Sequence, residues 1–153
     1  MSEHIPVPEW VKMNSENIIQ NMDDWQRIHS QSIADSDRFW LDITRKNIVW
    51  DTEPSIGLEG GFDTIEQDSF KWFSDGRLNA TVSCVDQHLK HRPDKVAILW
   101  EGDEPGDVRR ITYRQLHAQV CRFSNALQSR GVTSGDRVII YMGMVPEAAI
   151  AML

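Results

Sequence analysis

The chain has 153 residues and a mass of 17.6 kDa, enough for one ordinary domain and too little for two. With 41% hydrophobic and 25% charged residues, its composition excludes a disordered, collagenous or disulfide-stapled chain. A net charge of −7 without a basic stripe argues against nucleic acid and anionic membrane as partners, and no apolar run approaches the roughly 18 residues that span a bilayer.

The charge is uneven. Residues 1–75 hold 6 basic against 15 acidic side chains, a balance of −9, whereas residues 76–153 hold 10 against 8, or +2. The start, Met1-Ser2-Glu3-His4, lacks the basic and apolar regions of a secretory signal, so a cytoplasmic location is expected. Cys84 and Cys121, with no CxxC pairing, read as reduced thiols within hydrophobic faces.

Residues 1–21 carry Pro6 and Pro8 and little periodicity, which predicts an irregular arm. Met22, Trp25, Ile28 and Ile33 then recur at nearly helical spacing. Asp35-Ser36 offers an N-cap for a second helix, with Phe39, Trp40 and Ile43 on one side and an end near Lys46. From 51 to 69 come Pro54, Gly57, Gly60, Gly61 and six acidic side chains, the composition of an exposed connection. Gly60-Gly61 is not a phosphate loop, since no Lys-Ser or Lys-Thr follows it.

An aromatic patch, Phe70, Trp72 and Phe73, leads to a turn at Asp75-Gly76. A helix is predicted from about Thr81 to His91, with Val82, Val85 and Leu89 as its apolar face and Pro93 as its stop. Val96 to Glu101 reads as a strand and Arg109 to Thr112 as its partner in a hairpin. Thr112 and Gln115 fit a capping box, from which Leu116, Val120, Phe123 and Leu127 trace one helix face to Arg130, with Gly131 as the left-handed stop. After a turn at Ser134-Gly135-Asp136, Val138-Ile139-Ile140-Tyr141 is apolar enough for a parallel strand buried on both sides. Pro146 and Glu147 suit the first turn of a further helix. A parallel strand and crossover helix need another strand to receive the chain, so the sequence reads as the opening piece of a longer α/β protein.

Candidate chemistry is sparse. Cys84, His88 and His91 fall on one helical face at metal-like spacing, but one face rarely supplies three ligands and no fourth is evident. Glu101, Asp103, Glu104 and Asp107 lack the ordered spacing of an EF-hand and read as a solvated turn. Thr133-Ser134-Gly135 lacks the glycines and lysine of a phosphate cradle. His117 reads as a boundary residue, with no serine or cysteine positioned by sequence to need a base. The tryptophans at 10, 25, 40, 50, 72 and 100 are too evenly spread for a stacking platform. No catalytic, cofactor-binding or metal residue is assigned on these grounds.

Several blocks nevertheless match a known text: Trp72-Phe73-Ser74-Asp75-Gly76-Arg77-Leu78-Asn79, Cys84-Val85-Asp86-Gln87-His88-Leu89, Ile98-Leu99-Trp100-Glu101-Gly102-Asp103-Glu104-Pro105 and Ile111-Thr112-Tyr113-Arg114-Gln115-Leu116-His117. With Val120-Cys121-Arg122-Phe123, Gly135-Asp136-Arg137-Val138 and Tyr141 to Glu147, they closely resemble the N-terminal part of AMP-forming acetyl-coenzyme A synthetases, over roughly Met22 to Leu153. Gly143, Ser83 and Ser36 stand where that family usually has proline, asparagine and proline, and none of the three is a reacting group.

The resemblance implies an α/β fold in which a helical segment, 22–76, wraps a large adenylation domain whose incomplete start is 77–153. It implies acetate, ATP with Mg2+ and coenzyme A as the parent's substrates and cofactors, with none expected to bind this chain alone. The missing remainder of the adenylation domain would be its partner. The family's phosphate loop, ribose-binding aspartate, acetate-pocket tryptophan, coenzyme A contacts and C-terminal catalytic lysine have no match here, so no site residue is carried over. A propionyl-coenzyme A synthetase shares this N-terminal pattern, and a non-catalytic interaction protein derived from the family is the rival of a different class.

Overall fold

The structure is a computed structural model that describes residue 19, residues 21–61 and residues 70–153. The arm expected over 1–21 falls outside the described residues except for Ile19 and Asn21, as does the 62–69 part of the acidic connection. Two compact units emerge, one drawn from Met1–Lys46 and Thr52–Gly76, the other from Asn47–Asp51 and Arg77–Leu153.

In the first unit, helix α1 (Met22–Ala34) starts where the Asn21 side chain accepts from the Asp24 N–H at 2.8 Å. Helix α2 (Ser36–Asn47) starts as the sequence suggests, the Asp35 carboxylate accepting from the Arg38 N–H at 3.1 Å. Arg45 and Lys46 stand at its C-terminal, negative end. Its buried residues are Leu41 and Thr44 rather than the expected face of Phe39, Trp40 and Ile43. Residues 41 and 44 are one turn apart on a single side. The Trp40 ring instead meets Phe39 and Trp72 edge-on, at 5.1 and 6.3 Å between centroids. The even spacing of the tryptophans therefore misleads: Trp40 and Trp72 are neighbours in space.

The described part of the acidic connection is not simply exposed, because Pro54 and Gly57 are buried. Two carboxylates hold it. Asp75 accepts from the Ser55 N–H at 2.9 Å, the Ser55 hydroxyl at 2.6 Å and the Ile56 N–H at 3.2 Å. Asp37 Oδ1 accepts from the Gly57 N–H at 2.7 Å and the Leu58 N–H at 3.1 Å. A Cβ on Gly57 would lie 2.7 Å from the Asp37 carbonyl oxygen, so that close approach requires glycine. Strands β1 (Leu58–Glu59) and β2 (Lys71–Trp72) pair antiparallel, with Leu58 opposite Trp72.

The second unit opens with a π-helical turn (Val82–Asp86) that runs into the short helix α3 (Gln87–Leu89). The expected helix is present, but ends before His91 and carries a wider first turn. Strands β3 (Val96–Glu101) and β4 (Val108–Thr112) form the predicted antiparallel hairpin, with an irregularity between Val96 and Ile98. Thr112 and Gln115 make both halves of the capping box, at 3.3 and 2.9 Å, and start helix α4 (Tyr113–Ser129). Gly131, at φ +86°, takes the left-handed conformation that stops it. Helix α5 (Pro146–Met152) has Pro146 and Glu147 in its first turn, as its sequence demands.

Val85, Ile111, Leu116, Val120 and Ile150 make this unit's core, flanked by Ala97, Ile98, Phe123 and Leu153. Each fully buried aliphatic side chain stabilises the fold by about 1.5–3 kcal/mol. Two expectations fail around this core. Cys84 and Cys121 are exposed, because Val85 and Val120, their chain neighbours, occupy the inward positions. Val138 to Tyr141 forms no strand: among the described residues the sheets are two antiparallel pairs, and Ile139 and Tyr141 are 90% and 99% exposed. A strand needs a neighbour to complete its ladder of hydrogen bonds, and no described residue provides one. The resulting architecture mixes helices with small antiparallel strands.

Candidate functional site

Helix α4 and the π-helical turn bring His117, Cys121 and Asp86 together. His117 and Cys121 lie one turn apart on α4, their side chains on one face, with 3.6 Å between Nε2 and Sγ. Asp86, from the π-helical turn, brings Oδ1 to 3.6 Å from the same nitrogen. Asn79, Thr81 and Ser124 help line the adjoining cleft of about 350 Å3. The proximity of Cys121 to His117 has a sequence signal, the His-x-x-x-Cys spacing on a helix already predicted.

The arrangement does not make a nucleophilic site. A thiol–imidazole–carboxylate relay uses both ring nitrogens, one toward the nucleophile and the other toward the acid. Here Nε2 faces both groups, and its 3.6 Å separation from Asp86 exceeds hydrogen-bond length. The Asp86 and His117 side chains are each 39% exposed, although Asp86 Oδ1 itself is buried without a hydrogen-bond partner.

Other candidates sit apart. His88 accepts from Arg92 at Nδ1 and packs its ring on Tyr113, 4.6 Å between centroids, while His91 and Cys84 are exposed. Burial first, then the charges of Arg92 and Lys95, lower the His88 pKa below its ordinary 6.5. Among the described residues no three of His, Cys, Asp and Glu are grouped to hold a metal ion. In the turn after α4, Asp136 accepts from the Thr133 N–H at 2.7 Å and its hydroxyl at 3.0 Å. Those hydrogen bonds lower the Asp136 pKa, and the loop's own carboxylate thus takes the donor a phosphate would seek. Around the acidic hairpin loop, the Gly102 N–H donates to the Asp107 carbonyl at 2.7 Å, closing a turn.

Sequence reasoning misses a clasp built from residues far apart in the chain. Arg109 on β4 reaches Glu147 on α5 through two parallel contacts of 2.6 and 3.1 Å. The Arg109 guanidinium lies 5.8 Å from the Trp100 ring centroid, and the Trp100 indole N–H donates to the Met144 carbonyl at 2.6 Å. Hydrogen bonding to Arg109 lowers the Glu147 pKa. The clasp fixes the start of α5 against the hairpin and leaves the exposed stretch before Met144 outside it. No described helix is long and apolar enough to cross a membrane.

With no catalytic constellation in these residues, comparison with known proteins supplies the context. Residues 85–153 match the family model of AMP-binding enzymes. Residues 25–84 match that of the acetyl-coenzyme A synthetase N-terminus, directly upstream. The chain is 47% identical to the acetyl-coenzyme A synthetase of Parvibaculum lavamentivorans over 155 aligned positions, covering 100% of this chain and 23% of that protein. It is 43% identical to acetyl-coenzyme A synthetase 2 of Pseudomonas aeruginosa, over 97% of this chain and 22% of the relative. Identity to the acetyl-coenzyme A synthetase of Vibrio vulnificus is 45%, over 100% and 23%.

Residues 85–153 are thus similar to AMP-binding enzymes. Over its whole length the chain is similar to the N-terminal region of acetyl-coenzyme A synthetases. It spans about a quarter of the length of the curated relatives it matches.

Proposed function

We propose that this chain is the N-terminal part of an acetate:CoA ligase, which activates acetate with ATP to acetyl-adenylate and pyrophosphate and then passes the acetyl group to coenzyme A. The observation that carries this reading is the pair of adjoining family matches over residues 25–153, together with 47% identity to an acetyl-coenzyme A synthetase over the whole chain. In this reading 22–76 serve as a wrapping segment and 77–153 begin the adenylation domain. The groups that hold ATP with Mg2+, acetate and coenzyme A belong to the remainder of the parent. The exposed apolar run Val138 to Tyr141 supports this division, since its backbone is free to pair with strands of that remainder. Small molecules in the cytoplasm, rather than nucleic acid or membrane, are the parent's partners in this reading.

A chimera tests it. Residues 1–153 replace the corresponding N-terminal region of the Parvibaculum lavamentivorans relative, and AMP release is followed with ATP, coenzyme A and acetate. Acetate-dependent AMP release at a rate within about tenfold of the relative's own supports the proposal. A folded chimera that releases no AMP while the relative does overturns it.

A further inference from the structure

We draw no further inference here: the strongest candidate, the cleft beside α4 where Asp86, His117 and Cys121 meet, carries nothing because one imidazole nitrogen faces both the thiol and the carboxylate, no three such groups are placed to share a metal ion among the described residues, and nothing in the structure points to a ligand for an exposed cysteine.

Discussion

The two units solve the same problem by different means. In the first, α1 buries no residue, α2 buries only Leu41 and Thr44, and the chain between Ser55 and Leu58 is held by the carboxylates of Asp75 and Asp37. In the second, five aliphatic side chains close a core across the π-helical turn, β4, α4 and α5. A short helix without a buried face gains little from propensity alone, so directed hydrogen bonds must define the first unit's geometry. A packed core defines the second, with the Arg109–Glu147 clasp and the Thr112 capping box added to it. The lesson is that one sequence can specify neighbouring regions by polar stapling and by apolar packing, and the two respond to different mutations.

The largest effect is expected in the core. Leu116→Ala removes a side chain that is 4% exposed and should cost the second unit about 2–4 kcal/mol in urea unfolding. A loss under about 1 kcal/mol would show that the site collapses around the change and that packing there is looser than described. Asp37→Ala should act on the other unit, freeing the Gly57 and Leu58 N–H groups at a cost of about 1–3 kcal/mol. Hydrogen exchange at those two amides should quicken while the α4 amides keep their protection, an outcome that Leu116→Ala reverses. Equal changes in both places would erase the distinction between the units.

Smaller effects sharpen the second unit's internal contrast between clasped and free chain. Arg109→Ala should speed exchange of the α5 amides without altering those of α4, because the salt bridge is half exposed and its loss is local. Unchanged exchange in α5 would mean that the clasp is dispensable. Trypsin should cut residues 77–153 first after Arg137, in the exposed run without ladder partners, and Arg137→Gln should abolish that fragment. A first cut inside α4 would contradict the exposure of this stretch.

The smallest effect concerns His88. Its folded pKa lies below its ordinary 6.5, so the unfolded chain binds the proton more readily. Stability is therefore full above about pH 6.5 and declines as pH falls toward the folded value. Replacing His88 by Gln should flatten that part of the curve, which chemical denaturation at several pH values measures. An identical slope in the variant would assign the decline to other groups.

What could be read from the sequence was what short-range chemistry dictates. The Asp35 cap, the Thr112–Gln115 capping box, the Gly131 stop and the Pro146 start each depend on residues within one turn, and each forms. The hairpin followed from two β-rich runs and a polar loop. What escaped depends on distance in the chain or on a partner. Asp37 with Gly57, Asp75 with Ser55, Arg109 with Glu147 and Trp100 with Met144 are 20, 20, 38 and 44 residues apart, and no periodicity encodes them. Val138 to Tyr141 has the composition of a buried strand, but composition only licenses a strand; a neighbouring ladder makes it one. The Asp86–His117–Cys121 group was half legible, through the helical spacing of its second and third members, while Asp86 arrives from another element.

On the proposed function, this chain supplies scaffold to an acetate-activating enzyme whose reacting groups lie in the parent's remaining sequence. The most direct test of that claim is to incubate the purified 153-residue chain with ATP, Mg2+, acetate and coenzyme A and to measure AMP. The account predicts none above the rate without protein; acetate-dependent AMP release by the chain alone would contradict it.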